Sequence, residues 1–209
     1  MKIISRSKWG ARAWNGQPYS VSMRERDWFL VHYHGGVPAA SRGVYVPRNV
    51  ENIHLGNGWS GVGYNFIVDQ DGRIYEGRGW NLVGAHCPGH NRNGLGVYVA
   101  VGGNQKPTKE ALAAVKWLYE EGSRQRGRDL IKSYHGFDYP TACPGDHLRS
   151  WVQGGMIVAS FTGAVSAINE IKNKVTKPTK KKDGERVTVD GHLGPETYRA
   201  IQEWAGATQ

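Results

Sequence analysis

Gly63-Tyr-Asn-Phe-Ile-Val68-Asp69-Gln-Asp-Gly72-Arg73-Ile-Tyr-Glu76 decides the fold class. Its first six residues alternate, which predicts a strand with Tyr64, Phe66 and Val68 on one face. Asp69 to Gly72 ends on an Asp-Gly step, the mark of a tight turn, and Arg73–Glu76 reads as the returning strand. An antiparallel hairpin is therefore expected here.

The flanking segments are of mixed type. Trp28-Phe-Leu-Val-His-Tyr-His34 is an apolar run ending in histidines, read as a buried strand followed by a Gly35-Gly36 turn. Pro47–His54 places Val50, Ile53 and His54 at helical spacing, and Gly56-Asn-Gly58 ends that helix. Gly96–Val101 is a continuous apolar strand of the kind covered on both faces. Pro107-Thr108 opens a helix with Leu112, Val115, Leu118 and Tyr119 as its apolar stripe, and Gly122 reads as its stop. Ile131–His135 is a short last strand, and Asp146 is placed to cap a helix through Leu148 and Trp151. Residues 1–27 read as an irregular arm pinned by Trp9 and Trp14. Strands interleaved with helices predict an α/β domain, a central mixed β-sheet flanked by helices, with the hairpin as its antiparallel part.

The C-terminal third changes character. Met156–Ile171 carries Val158, Phe161, Val165 and Ile168 at helical spacing, a helix packed on the core. Residues 172–186 are rich in lysine (Lys172, Lys174, Lys177 and Lys180 to Lys182), a solvated, self-repelling linker. Val187–Gln202 looks ordered again, with Pro195 suited to a first helical turn and Tyr198, Ile201 and Trp204 along one face. The expected organisation is a domain over 1–171, a basic linker over 172–186 and a short segment over 187–209.

The chain has 209 residues, enough for one ordinary domain and an appendage. Its 29 glycines point to many turns, and its 8 tryptophans and 10 tyrosines support a real core. The net charge of +9 favours anionic partners without choosing among them. No aromatic–basic RNA signature, helix-turn-helix pattern or zinc-finger spacing is present, so no nucleic-acid partner is expected. No run of about 18 apolar residues exists, so no membrane span is expected. The first residues hold no stretch apolar enough for a signal peptide, and synthesis in the cytoplasm follows as the expectation. Cys87 and Cys143 could pair on parity alone. A reducing compartment argues against the bond.

Lys132-Ser-Tyr-His-Gly-Phe-Asp-Tyr-Pro-Thr-Ala-Cys-Pro-Gly-Asp-His147 sets His135 and Cys143 eight positions apart. Imidazole and thiolate are the usual protein ligands of zinc. A catalytic zinc needs a third protein ligand and a fourth position left open for water. His32, directly after the apolar run, is the candidate, and His34 competes because residues two apart share a strand face.

Four ordered motifs then line up. Gly-Tyr64-Asn-Phe, Asp-Gly-Arg-Ile-Tyr-Glu-Gly-Arg78, Gly-Ala-His86 and Thr-Ala-Cys143-Pro-Gly resemble the zinc N-acetylmuramoyl-L-alanine amidases related to peptidoglycan recognition proteins. The opening Ser-Lys-Trp-Gly-Ala-Arg12 is similar to that family's start, and the resemblance covers about residues 5–153. It implies zinc on His32, His135 and Cys143, catalytic positions at Tyr64 and Thr141, and a substrate groove shaped by His86 and Asn91. Some members carry lysine where Thr141 stands. The family often has His-His-Thr where this chain has His32-Tyr33-His34. The tail from Val189 resembles the first part of a peptidoglycan-binding repeat, either a truncated wall-binding module or a helix that docks on the domain.

The implied function is hydrolysis of the amide between N-acetylmuramic acid and L-alanine in bacterial peptidoglycan. The form expected is a monomeric bacteriophage endolysin, made in the host cytoplasm and acting on the wall after release. The alternative is a non-catalytic peptidoglycan-binding protein. Members of that type usually lack the zinc cysteine, which this chain has. Several residues stay open between two roles. His86 either caps its loop or faces the groove, Trp80 either stacks on sugar or lines the core, and Cys87 is either an ordinary thiol or part of the groove. His54 reads as helix-end packing.

Overall fold

The computed structural model describes residues 1–158. Along these run β1 (Ile3–Ile4), α1 (Arg6–Trp9), a 3₁₀ turn (Met23–Glu25), β2 (Trp28–His32) and α2 (Tyr45–Gly56). There follow β3 (Phe66–Val68), β4 (Ile74–Glu76), β5 (Gly94–Val99), α3 (Lys109–Arg126), β6 (Ile131–Tyr134) and α4 (Asp146–Gln153). The six strands form one sheet in the order β1-β4-β3-β5-β2-β6. Every neighbouring pair is parallel except β3 and β4. The α/β class, the mixed sheet and its antiparallel hairpin are as expected from the sequence.

A buried carboxylate builds the hairpin turn. Asp69 accepts the N–H groups of Asp71 and Arg73, each at 2.9 Å, and the Tyr75 hydroxyl at 3.0 Å. The turn is tied to α3 through Thr108. Its hydroxyl donates to the Gln70 carbonyl at 2.7 Å and caps the helix by accepting the Ala111 N–H at 3.1 Å.

Helices cover both sheet faces. On one side Phe29, Val31, Phe66, Val68, Leu95, Val97 and Val99 pack with Val115 and Leu118 of α3 and Leu148 and Val152 of α4. On the other, Ile67, Tyr75 and Tyr98 pack with Trp9 of α1 and Val46 and Val50 of α2. Each such side chain, fully buried, contributes roughly 1.5–3 kcal/mol. Double cover explains why β3 is buried at all three positions, whereas a half-exposed strand would alternate.

The structure differs from the sequence expectation at five places. Tyr64 lies before β3 and packs with the α2-side cluster, so it does not share the face of Phe66 and Val68. Gly122 does not stop α3, which runs on to Arg126 and ends at Gly127 with φ of +83°. Gly122 is there for close packing, since a Cβ would stand 3.0 Å from Leu130 and 3.2 Å from both Leu95 and Trp80. Asp146 is the first residue of α4 and makes no side-chain cap. The N-terminal arm is partly regular, because β1 pairs with β4. Met156 has φ of +61° and begins no helix. The rest of the helix expected to Ile171, the linker over 172–186 and the segment over 187–209 lie outside the described residues. Trp80 lines the core, its ring 4.4 Å from that of Phe66. Among the described residues, no helix is long and apolar enough to cross a membrane.

Candidate metal centre

The site begins with the alternation of β5. Leu95, Val97 and Val99 point toward α3 and leave Gly94, Gly96 and Tyr98 for the opposite face. On the adjacent β2, Phe29 and Val31 point toward α3, and His32 stands on the site side opposite Tyr98. Two glycines beside a histidine leave a hollow on an otherwise filled sheet.

The His86 ring fills this hollow, and the fold brings together His32, His135 and Cys143 beside it. One ligand atom from each lies within 4.8 Å of the others, the one group of this kind among the described residues. His135 follows β6 directly, its N–H bonded to the Val31 carbonyl at 3.0 Å. Cys143 precedes α4 and is 9% exposed. The Cys143 Sγ is 3.9 Å from His32 Nδ1. Nitrogen and sulfur sharing a tetrahedral zinc stand about 3.6 Å apart. Two imidazoles and one thiol at this separation therefore fit a zinc ion. Burial, with His86 and His135 adding to it, pushes the His32 imidazole well below its ordinary value and keeps it neutral. Burial, with Cys87 adding to it, pushes the Cys143 thiol up to about 12. A bound cation offsets this penalty and deprotonates a coordinating thiol.

His34 goes elsewhere. β2 ends at His32, so alternation no longer holds His34 on the same face. Its Nδ1 instead meets the Tyr98 hydroxyl at 3.1 Å. His54 closes α2, where its Nδ1 accepts the Gly63 N–H at 2.9 Å. Burial and then Arg78 push this imidazole down to about 4.

The Tyr64 ring centroid lies 5.1 Å from that of His32. Burial, and then Cys143 and Tyr98, raise the Tyr64 phenol far above its ordinary value, so it stays protonated and able to donate. The Thr141 hydroxyl oxygen accepts the Cys143 N–H at 3.3 Å. His86 is buried, with its Nδ1 3.1 Å from His32 Nε2. Asn91 accepts the N–H groups of His86 and Cys87 at 2.7 and 2.9 Å. Beside Tyr64 opens a cleft of about 190 Å³ walled by Trp59, Tyr98, His34 and Val50. A larger hollow of about 310 Å³ at Ser41, Arg42 and Lys106 holds no ligand cluster.

Three contributors were not expected from the sequence. The Tyr139 hydroxyl meets His135 Nε2 and lies 3.9 Å from Cys87 Sγ. Only its position four residues after His135 hints at this. Arg26 is fully buried, although the charged run Met-Arg-Glu-Arg reads as exposed surface. Its guanidinium donates to the carbonyls of Trp80, Leu82, Arg92 and Gly94 at 2.7–3.1 Å. Buried Asn65 donates to the Gly79 carbonyl at 2.7 Å and accepts the Gly96 N–H at 3.0 Å. Cys87 and Cys143 are both buried and free, so no disulfide joins them.

Residues 8–146 match the family model Amidase_2, described as N-acetylmuramoyl-L-alanine amidase. The chain is 36% identical over 165 residues to the human N-acetylmuramoyl-L-alanine amidase, an alignment covering 71% of this chain and 28% of the relative. It therefore spans under a third of that relative's length. It is 35% identical over 162 residues to peptidoglycan recognition protein 1 of Bos indicus, with 72% of this chain and 82% of the relative covered. The fold is similar to that of peptidoglycan recognition protein-LE, solved in complex with tracheal cytotoxin, a monomeric diaminopimelic acid-type peptidoglycan. The TM-score is 0.66 at 30% identity over 73% of this chain and 92% of that one. By the span of the family match, this chain belongs to the Amidase_2 family of N-acetylmuramoyl-L-alanine amidases.

Proposed function

We propose that this chain is a zinc hydrolase that cuts the amide joining the lactyl group of N-acetylmuramic acid to L-alanine in peptidoglycan. The observation that carries the reading is the convergence of His32, His135 and Cys143 beside Tyr64, whose side chain also lines an aromatic cleft. A zinc ion on these ligands supplies a water of lowered pKa and polarises the scissile carbonyl.

The protein's own groups do the rest. His32 and His135 through their imidazoles and Cys143 through its thiolate would hold the ion. Tyr64 donates a hydrogen bond from its phenol to the oxygen on which charge develops, or orients the attacking water. Thr141 uses its oxygen to hold the cysteine's N–H, which leaves its O–H free to donate. Asn91 shapes the wall of the groove through the His86–Cys87 backbone. Trp59, Tyr98 and Tyr64 offer apolar faces to sugar and peptide, and the charge of +9 favours anionic wall polymers. The finer form of the reading is a bacteriophage lysin.

Non-catalytic recognition is the second reading, favoured by the bound tracheal cytotoxin in the structure of the recognition protein above. One experiment separates the two. Purified peptidoglycan is digested with and without a zinc chelator, and new L-alanine amines are scored against new reducing sugar ends. Amines that vanish on chelation and return with zinc are expected. New reducing ends would mean a glycan-cleaving enzyme, and tight binding without product would place the chain among the recognition proteins. Tyr64→Phe should keep its zinc and lose about 100–1,000-fold in turnover, measured by amine release. Unchanged turnover would remove Tyr64 from the chemistry.

A further inference from the structure

The His86 imidazole lies in a slot made for it. A Cβ on Gly84 would come within 2.4 Å of its ring carbon Cδ2 and 2.6 Å of its Nε2. One on Gly96 would stand 2.4 Å from Cγ and Cδ2. The ring is thus clamped between a loop and the floor of the sheet, where no side chain other than hydrogen fits at either glycine. Its backbone is fixed as well, by the Asn91 carboxamide on its N–H and by the Gly84 N–H on the Asn91 carbonyl at 2.8 Å. His86 cannot turn away from what it faces.

What it faces is His32. His86 Nδ1 is 3.1 Å from His32 Nε2, in the interior, and the other nitrogen of His32 faces the Cys143 sulfur. Two proton arrangements satisfy this contact. In one, His86 donates from Nδ1 to His32 Nε2. That puts the proton of a neutral His32 on Nδ1, toward the sulfur, where it blocks a metal. In the other, His32 donates from Nε2 to His86 Nδ1 and keeps a lone pair on Nδ1. Only the second makes His32 a ligand beside Cys143. It places the His86 proton on Nε2, a buried atom with no partner in hydrogen-bonding geometry among the described residues. A purely structural ring would be better replaced by an apolar one than kept with an orphaned nitrogen.

We propose that His86 is the positioning residue that fixes the tautomer and the orientation of His32, so that His32 offers Nδ1 to the metal. This rests on the reading of His32, His135 and Cys143 as a metal set. Metal-ligating histidines usually donate their second N–H to an outer partner, and that partner governs affinity. Here the partner is a second imidazole acting as acceptor.

The test reads zinc affinity by chelator competition and the His32 tautomer by long-range proton–nitrogen NMR correlations. In the zinc-loaded wild type, His32 should carry its proton on Nε2. His86→Leu, which cannot accept, should weaken zinc binding by about 10–100-fold. His86→Gln, whose carboxamide oxygen can accept, should recover most of the loss. Melting of the zinc-free proteins is recorded in parallel, because a purely structural role would move it and leave zinc affinity unchanged. Zinc affinity of His86→Leu within about twofold of wild type would overturn the proposal. So would a His86→Gln no better than His86→Leu, or a zinc-loaded His32 protonated on Nδ1. If His86→Leu does not fold, the wild-type tautomer still decides. A wild type that takes up no zinc would sink the metal reading together with this one, whereas normal uptake with an indifferent His86→Leu sinks this one alone.

Discussion

The loop between β4 and β5 is held by side chains that reach into it from outside, whereas the loop between β6 and α4 is held mostly by itself. In the first, Arg26 and Asn65 send buried donors to the carbonyls of Gly79, Trp80, Leu82 and Arg92. In the second, Cys143 leans on Thr141, Gly145 on Ala142 and Phe137 on Tyr134, all within a few residues. Its outside ties are fewer. Phe137 stacks on Trp28 with ring centroids 4.6 Å apart, half-buried Arg149 reaches two carbonyls, and Asp138 pairs with His90 near the surface. The first loop supplies His86, and the second supplies His135 and Cys143. One wall of the site is thus prebuilt, and the other is the part a metal would organise by tying two of its residues to His32.

The largest expected effect breaks that tie. Cys143→Ser replaces a thiolate with a neutral hydroxyl and should weaken zinc binding by more than about 100-fold, beyond what loss of an outer partner costs. Metal content after dialysis measures it. Hydrogen exchange should then speed up over residues 135–145 and stay unchanged over 77–93, and chelation of the wild type should give the same pattern. Equal softening of both loops would erase the distinction between them, and full zinc content would remove Cys143 from the ligand set.

Arg26→Met probes the prebuilt wall. Burial pushes the Arg26 guanidinium down to about 10, so it is still charged at neutral pH, and it is fully enclosed. Its removal strands carbonyls at about 1–3 kcal/mol each, partly offset because no charge is then buried. A net loss of about 3 kcal/mol in urea unfolding is expected, with or without zinc. A loss under about 1 kcal/mol would mean that the backbone alone holds this loop.

The two walls were also unequally legible in the sequence. The second could be read because its chemistry is local: His135, Thr141, Cys143 and the Pro-Gly step lie within eleven residues, and chain spacing nearly dictates their meeting. The hairpin and the start of α3 were legible for the same reason, since a turn and a cap are short-range devices. The first wall depends on pairings across the chain. Arg26 meets carbonyls more than fifty positions away, and Asn65 bridges β5 and the loop. A charged residue in a polar run carries no sign of that. Gly122 looked like a helix stop because glycine at a helix end and glycine under a packed Trp80 are identical letters. The two-residue β1 is fixed only by its partner β4. His86 could be picked out by its motif. Its burial against Gly84 and Gly96 becomes visible only once β5 lies beneath it.

The smallest effect sharpens the comparison most. Among the described residues, Arg149 is the one outside side chain that donates to both sides of the cysteine, at 3.0 Å to the Thr141 carbonyl and 3.4 Å to that of Cys143. These bonds are partly exposed, so Arg149→Met should cost about 1 kcal/mol in the zinc-free protein. If they pre-shape the loop, the same change should weaken zinc binding by about fivefold, because ordering the cysteine is then left to the metal. Unchanged zinc affinity with the stability loss intact would assign the shape of the loop to Pro140 and Pro144, whose fixed φ angles need no outside donor. In that case the second wall would also be prebuilt, by chain stiffness in place of buried donors, and the contrast between the walls would be one of means alone.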